Sequence, residues 1–210
     1  MKILMTFLLL TAGFFSFSQF SGFKKVADPK EIAEKLNAAS KKTKSIDSDF
    51  KQYKHLDILE NDIESSGHFS FKATDKVRWE YLQPYKYLIV MNGKDMWIND
   101  GNKIRKYDTE SNKMFKEINN LMVGMLQGNI LKSENFEIIF YENKNEILAV
   151  LKPKSPEMKD FLEHIELYFD NKHYNVKKII MDEPAGDYTE MIFYNRKMNI
   201  EIPDSRFLIK

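Results

Sequence analysis

The residues best equipped for chemistry in this chain are four histidines, His55, His68, His164 and His173, and a plentiful set of carboxylates. Histidine can ligate a metal or carry a proton near neutral pH. None of the four has a second histidine two or four positions on, the spacing that sets two imidazoles on one face of a strand or helix. His164 and His173 flank one predicted hairpin and could face each other, although two surface strand residues is the simpler reading. Carboxylate pairs such as Asp57 with Glu60 and Asp182 with Glu183 recur, but with 31 acidic residues pairs arise by chance. No Gly-x-Ser-x-Gly turn is present to expose a serine nucleophile. No glycine-rich loop is present to cradle phosphate. The absence of cysteine removes thiol chemistry, disulfides and Cys-ligated metals. The expectation is therefore a protein that is not an enzyme, with no catalytic residues, no metal and no cofactor.

The surplus lies elsewhere, in 16 Phe, 10 Tyr and 11 Met. The flexible, polarizable thioether of Met suits surfaces that accept varied apolar shapes. An aromatic-rich strand face is usually core, but a large curved sheet can also leave an apolar cavity. Pattern alone leaves both readings open.

The elements that must position these side chains are mostly strands. From Ile46 onward apolar residues alternate, as in Val77, Trp79 and Tyr81 against Arg78 and Glu80. Asn92-Gly93 and Asp100-Gly101 separate successive runs, and both are favoured hairpin turns because they tolerate positive φ. Turns this close leave no room for crossover helices, so neighbouring strands pair antiparallel. About ten strands are expected. Asp28-Pro29-Lys30-Glu31 predicts a helix start, with Asp28 as cap and Glu31 at the capping-box position, and Ile32, Leu36 and Ala39 follow at helical spacing. A second, Met-rich helix is predicted from Lys113 to Gln127, interrupted by Gly124. There is no repeat and no linker. A single domain over residues 19–210 is expected.

At the start, Lys2 precedes an uncharged run from Ile3 to Phe17, and Ser16 and Ser18 have the spacing a signal peptidase accepts. Residues 1–18 are expected to be a cleaved signal peptide, with the mature chain beginning at Gln19. No lipobox cysteine is present to anchor it. With Lys plus Arg at 32 and Asp plus Glu at 31, charge gives no case for a nucleic-acid partner.

The middle of the chain resembles a known family. Ser65-Ser66-Gly67-His68-Phe69-Ser70-Phe71 leads through Lys76-Val77-Arg78-Trp79-Glu80-Tyr81 to Pro84. Leu88-Ile89-Val90, Asn92-Gly93-Lys94 and Met96-Trp97-Ile98 follow. This order is similar to the periplasmic outer-membrane lipoprotein carriers of the LolA type, and Phe50-Lys51-Gln52 resembles that family's Phe-x-Gln. The resemblance is specific between Gly67 and Ile98 and looser elsewhere. It implies a mostly β (α+β) fold: an incomplete, strongly curved antiparallel β-barrel closed by helices over a hydrophobic cavity. It implies a monomeric carrier that takes acylated lipoproteins from an ATP-driven inner-membrane transporter to the outer membrane. Val77 and Trp79 match cavity positions. Phe69, Phe71, Tyr81, Ile89, Met91, Met96 and Ile98 are expected to line the cavity with them, and Leu121, Met122, Met125 and Leu126 to form a lid face. One departure stands out. Where the family has an Arg-Pro pair whose Arg latches the lid, this chain has Ala73 and Thr74, with Lys72 on the opposite strand face. Rival readings are a carrier of another lipid or pathway product, and a lipoprotein-sensing interaction module.

Overall fold

The computed structural model describes residues 20–73, 75–108 and 134–209. The expected signal segment, Thr74 and the Met-rich helix with Leu121, Met122, Met125 and Leu126 lie outside the described residues.

Helix α1 spans Pro29–Lys41. The Asp28 side chain accepts a bond from the Lys30 amide at 3.0 Å, and Pro29 occupies a position where its missing N–H costs nothing. Glu31 pairs with Lys35 at 2.6 Å, one turn on, in place of the expected capping-box bond. Ile32 and Leu36 are buried.

The strands are β1 (Lys24–Lys25), β2 (Ser45–His55), β3 (Ile63–Lys72), β4 (Lys76–Gln83), β5 (Tyr87–Asn92), β6 (Asp95–Asn99) and β7 (Ile104–Asp108). They continue with β8 (Phe136–Glu142), β9 (Glu146–Pro153), β10 (His164–Asp170), β11 (Val176–Asp182) and β12 (Tyr188–Met198). Among the described residues these twelve strands form one antiparallel sheet in the order β1-β8-β9-β10-β11-β12-β2-β3-β4-β5-β6-β7. Two meanders, β2–β7 and β8–β12, are joined where β12 pairs along the length of β2. The end strands β1 and β7 do not pair with each other, so the sheet is an incomplete barrel. Gly93 and Gly101 have φ of 62° and 86° in the predicted turns. The count exceeds the expected ten because β1 is two residues long and β7 carries mostly exposed polar side chains.

The main core lies on the concave face, where buried side chains from strands of both meanders meet Ile32 and Leu36 of α1. A second, smaller core lies on the convex face. There the C-terminal segment returns across β4 and β5 and lays Ile202 and Phe207 on Val90, with Leu88 and Trp97 alongside. Lys72 Nζ donates to the Ile202 carbonyl at 2.9 Å and pairs with Asp204 at 2.5 Å, and Lys76 pairs with Asp204 at 3.1 Å. Lys72 is thus engaged on the convex side, as its strand parity requires.

Candidate functional site

Antiparallel register decides which side chains share a face, because residues directly opposite one another point the same way. Three such rows cross the first meander. Phe71, Val77, Met91, Met96 and Tyr107 form one row. Phe69, Trp79, Ile89 and Ile98 form the next, and Gly67, Tyr81 and Tyr87 the third. The nine residues singled out in the sequence therefore lie together on the concave face. Phe69, Phe71, Val77, Trp79, Met91 and Met96 are buried there, and Tyr81, Ile89 and Ile98 are partly buried.

Aromatic rings knit the rows together. Trp79 meets Phe69 at 5.0 Å and Phe50 at 5.5 Å between centroids, both edge to face, and Phe193 at 6.2 Å. Edge-to-face contact aligns the positive ring edge with a negative face, which favours this geometry over flat stacking. Phe50 also meets Tyr81 at 5.0 Å. Sequence pattern places Phe50 only in a motif and does not single out Phe193, yet β2 and β12 set both in the same wall. The second meander contributes Phe140, Ala149, Leu167 and Met191 to it as well. Their alternation is visible in the sequence, but nothing in it shows that β12 closes onto β2.

Polar atoms in this wall are few. Tyr81 donates its hydroxyl to Gln52 Oε1 at 2.8 Å. The Trp79 indole nitrogen is buried with no acceptor among the described residues. Arg196, brought inward by a bulge in β12, donates to the Val176 carbonyl and sits over the Phe193 ring at 5.7 Å. Burial of the Tyr81 phenol, with Tyr87 nearby, pushes its pKa up to about 12 from an ordinary 10.0. A raised pKa means the folded state holds this proton more tightly than the unfolded state does. The resulting stability, about 2–3 kcal/mol, is complete below pH 10 and lost as pH rises through about 12. Tyrosinate absorbance during alkaline titration should show a late step near pH 12, ahead of the still later Tyr168 that burial and Glu166 hold protonated, and this step should disappear in Tyr81→Phe. Its persistence in that variant would assign the late step to another residue.

His164 and His173 do not face each other. His164 opens β10 opposite Asp182, whereas His173 lies in the turn at the other end of the hairpin, 3.2 Å from Asp170. His68 lies on the convex face and bridges Asp49 at 2.9 Å and Asp47 at 2.8 Å, one carboxylate on each ring nitrogen.

The described residues thus build a half-open antiparallel barrel with a continuous apolar wall on its concave face. The chain belongs to the family described as outer membrane lipoprotein carrier protein LolA, which it matches over residues 41–210. The outer-membrane lipoprotein carrier protein of Azotobacter vinelandii is 29% identical over 153 residues, covering 70% of this chain and 68% of that protein. The carrier of Pseudomonas aeruginosa strain UCBPP-PA14 is 30% identical over 149 residues, covering 69% and 66%. That of Chromohalobacter salexigens is 26% identical over 184 residues, covering 83% and 80%. Two solved structures share the fold at low identity. An uncharacterized conserved protein from Thermus thermophilus superposes with a TM-score of 0.51 at 10% identity, over 85% of this chain and 91% of that one. The MucA/MucB complex of P. aeruginosa gives a TM-score of 0.50 at 10% identity, over 86% and 60%.

Proposed function

We propose that this chain is a periplasmic carrier that holds the acyl chains of lipoproteins against its concave wall and moves them from the inner to the outer membrane. The observation that carries this reading is the wall itself. Nine side chains chosen for cavity positions share one face, and Phe50 and Phe193 extend it across β2 and β12. The names of the family's relatives, outer-membrane lipoprotein carrier proteins, support this cargo class. No covalent step is involved. Acyl chains leave water at about 0.8 kcal/mol per buried methylene, so binding is a matter of area and release a matter of ordering cost. An ATP-driven inner-membrane transporter would load the carrier as a monomer. One end of the barrel exposes Ile58, Leu59, Ile63, Leu82 and Tyr85, apolar side chains suited to contact during handover.

Native mass spectrometry of the chain purified gently from the periplasm of its host tests this. A bound mass resolving into an acylated lipoprotein supports the reading. A smaller lipid keeps the wall as a binding surface but replaces the cargo. A bare chain that takes up no added lipid leaves only a packed core and favours an interaction module. The wall has its own reporter. In a Trp97→Phe background, Trp79 emission should shift to shorter wavelength when a fatty-acyl ligand is added, and an unchanged spectrum would mean Trp79 is core alone. Met122→Asp or Met125→Asp should abolish lipid uptake while β-sheet circular dichroism is kept. Unimpaired uptake in both would remove the lid from the proposal.

A further inference from the structure

We propose that His164, Glu166 and Asp182 form a zinc-binding site on the convex face of the sheet, outside the carrier wall. The strand geometry assembles it. His164 pairs directly with Asp182 across β10 and β11, and Glu166 follows His164 on the same face of β10. Both carboxylates converge on one ring nitrogen: His164 Nε2 lies 3.2 Å from Glu166 Oε1 and 3.2 Å from Asp182 Oδ2. The three ligand atoms all lie within 4.8 Å of one another. A tetrahedral Zn²⁺ with bonds of about 2.1 Å spaces its ligand atoms roughly 3.4 Å apart, close to the two 3.2 Å separations from His164 Nε2.

His68 provides the contrast. It too meets two carboxylates, but one at each ring nitrogen, so its contacts are accounted for by two separate hydrogen bonds. At His164 a single nitrogen faces both partners, and its hydrogen bond goes to Glu166. The consequence is visible at Asp182 Oδ2, which is buried without a hydrogen-bond donor among the described residues. A dication between the three ligand atoms would satisfy that oxygen, both carboxylates and the imidazole lone pair together. The surroundings are built to orient it. Glu166 is 7% exposed, and its other oxygen accepts the Tyr168 hydroxyl at 2.5 Å, the kind of outer contact that holds a ligating carboxylate in one pose. Asp182 is more open than its two partners, so water would have access to the bound ion from that side. One His with two carboxylates is a nitrogen and oxygen set that zinc accepts readily.

The test is direct titration of ZnCl₂ into the tag-free, chelator-treated chain, followed by calorimetry and native mass spectrometry. One Zn²⁺ per chain is expected, with a rise in thermal midpoint because metal binds only the folded arrangement. His164→Ala and Asp182→Asn should each abolish binding, and Tyr168→Phe should weaken it by about tenfold. The melting curve without zinc shows whether each variant is folded, and the near-isosteric Asp182→Asn guards against loss of fold in the alanine variant. Absence of binding at about a hundredfold molar excess of zinc overturns the site. So does one-to-one binding that survives both ligand substitutions, since the ion would then sit elsewhere. Lipid uptake should be unaffected in all three variants, so failure here leaves the carrier reading intact.

Discussion

Gly67→Ala is expected to cost at least about 3–4 kcal/mol and to leave little soluble protein. A Cβ built on Gly67 would stand 1.9 Å from the Glu80 carbonyl oxygen and 2.9 Å from the Tyr81 Cα. Both obstacles are backbone of the neighbouring strand, which cannot swing aside as a flexible side chain would. The close approach coincides with an irregularity in the β3–β4 register between Ser66 and Gly67. On the other side Gly67 pairs with Phe50, whose ring is fully buried and packs against Trp79 and Tyr81. Relief by moving β4 would pull apart the aromatic cluster at the centre of the wall. The Gly67 requirement is thus steric rather than conformational, since its φ is not among the positive ones. Urea unfolding of whatever soluble fraction is recovered measures the loss. A midpoint equal to that of the parent chain would show that the two strands can separate at no cost and would refute the close-approach argument.

Phe207→Ala is the second large effect, expected at about 3–5 kcal/mol because a fully buried ring is removed from a small cluster that has little else to collapse inward. The loss is confined to the convex face. Trp97 emission should move to longer wavelength as its cover is lost, while Trp79 is unaffected and lipid uptake per folded molecule stays the same. A parallel loss of uptake would show that the C-terminal segment and the concave wall are coupled through the sheet. The segment is held by more than one ring. Ser45 Oγ donates to the Ile200 carbonyl at 2.5 Å, and the Asn199 side chain accepts from the Lys44 amide at 2.7 Å. Unfolding should therefore remain cooperative, with a lower midpoint rather than a separate early step.

How much of this is legible in the sequence follows from what each element depends on. The alternation of Val77, Trp79 and Tyr81 with charged neighbours, and turns such as Asn92-Gly93, are local signals. They suffice to orient the face of β4 and to align it with β5 and β6. Phe193 and the second meander depend instead on β12 finding β2, a pairing between segments far apart in the chain that no local pattern encodes. The apolar pattern around β10 suggests a strand from Phe161, which is too early. A short helix, Pro156–Lys159, precedes it, Phe161 is exposed, and the strand begins at His164. The C-terminal cover is unreadable because Ile202 and Phe207 have neither strand nor helix spacing. Their partners, Leu88, Val90 and Trp97, occupy alternate positions that look like an ordinary solvent face. The His164 cluster escapes for a related reason. A search for paired histidines looks along one element, and Asp182 arrives from the neighbouring strand.

The gap between β1 and β7 sets this sheet apart from a closed barrel in one further respect. In a closed barrel the number of strands and their stagger fix the girth, and enlarging it means breaking a ladder. Here, among the described residues, no ladder spans the seam. The girth is then a soft coordinate, changed by small increments of twist and coil shared over twelve strands with every inter-strand bond kept. On the proposed carrier reading, guests of different bulk need not meet differently sized holes. The same wall would tighten or relax around each, and selectivity would pass from the volume of the interior to whatever closes the seam.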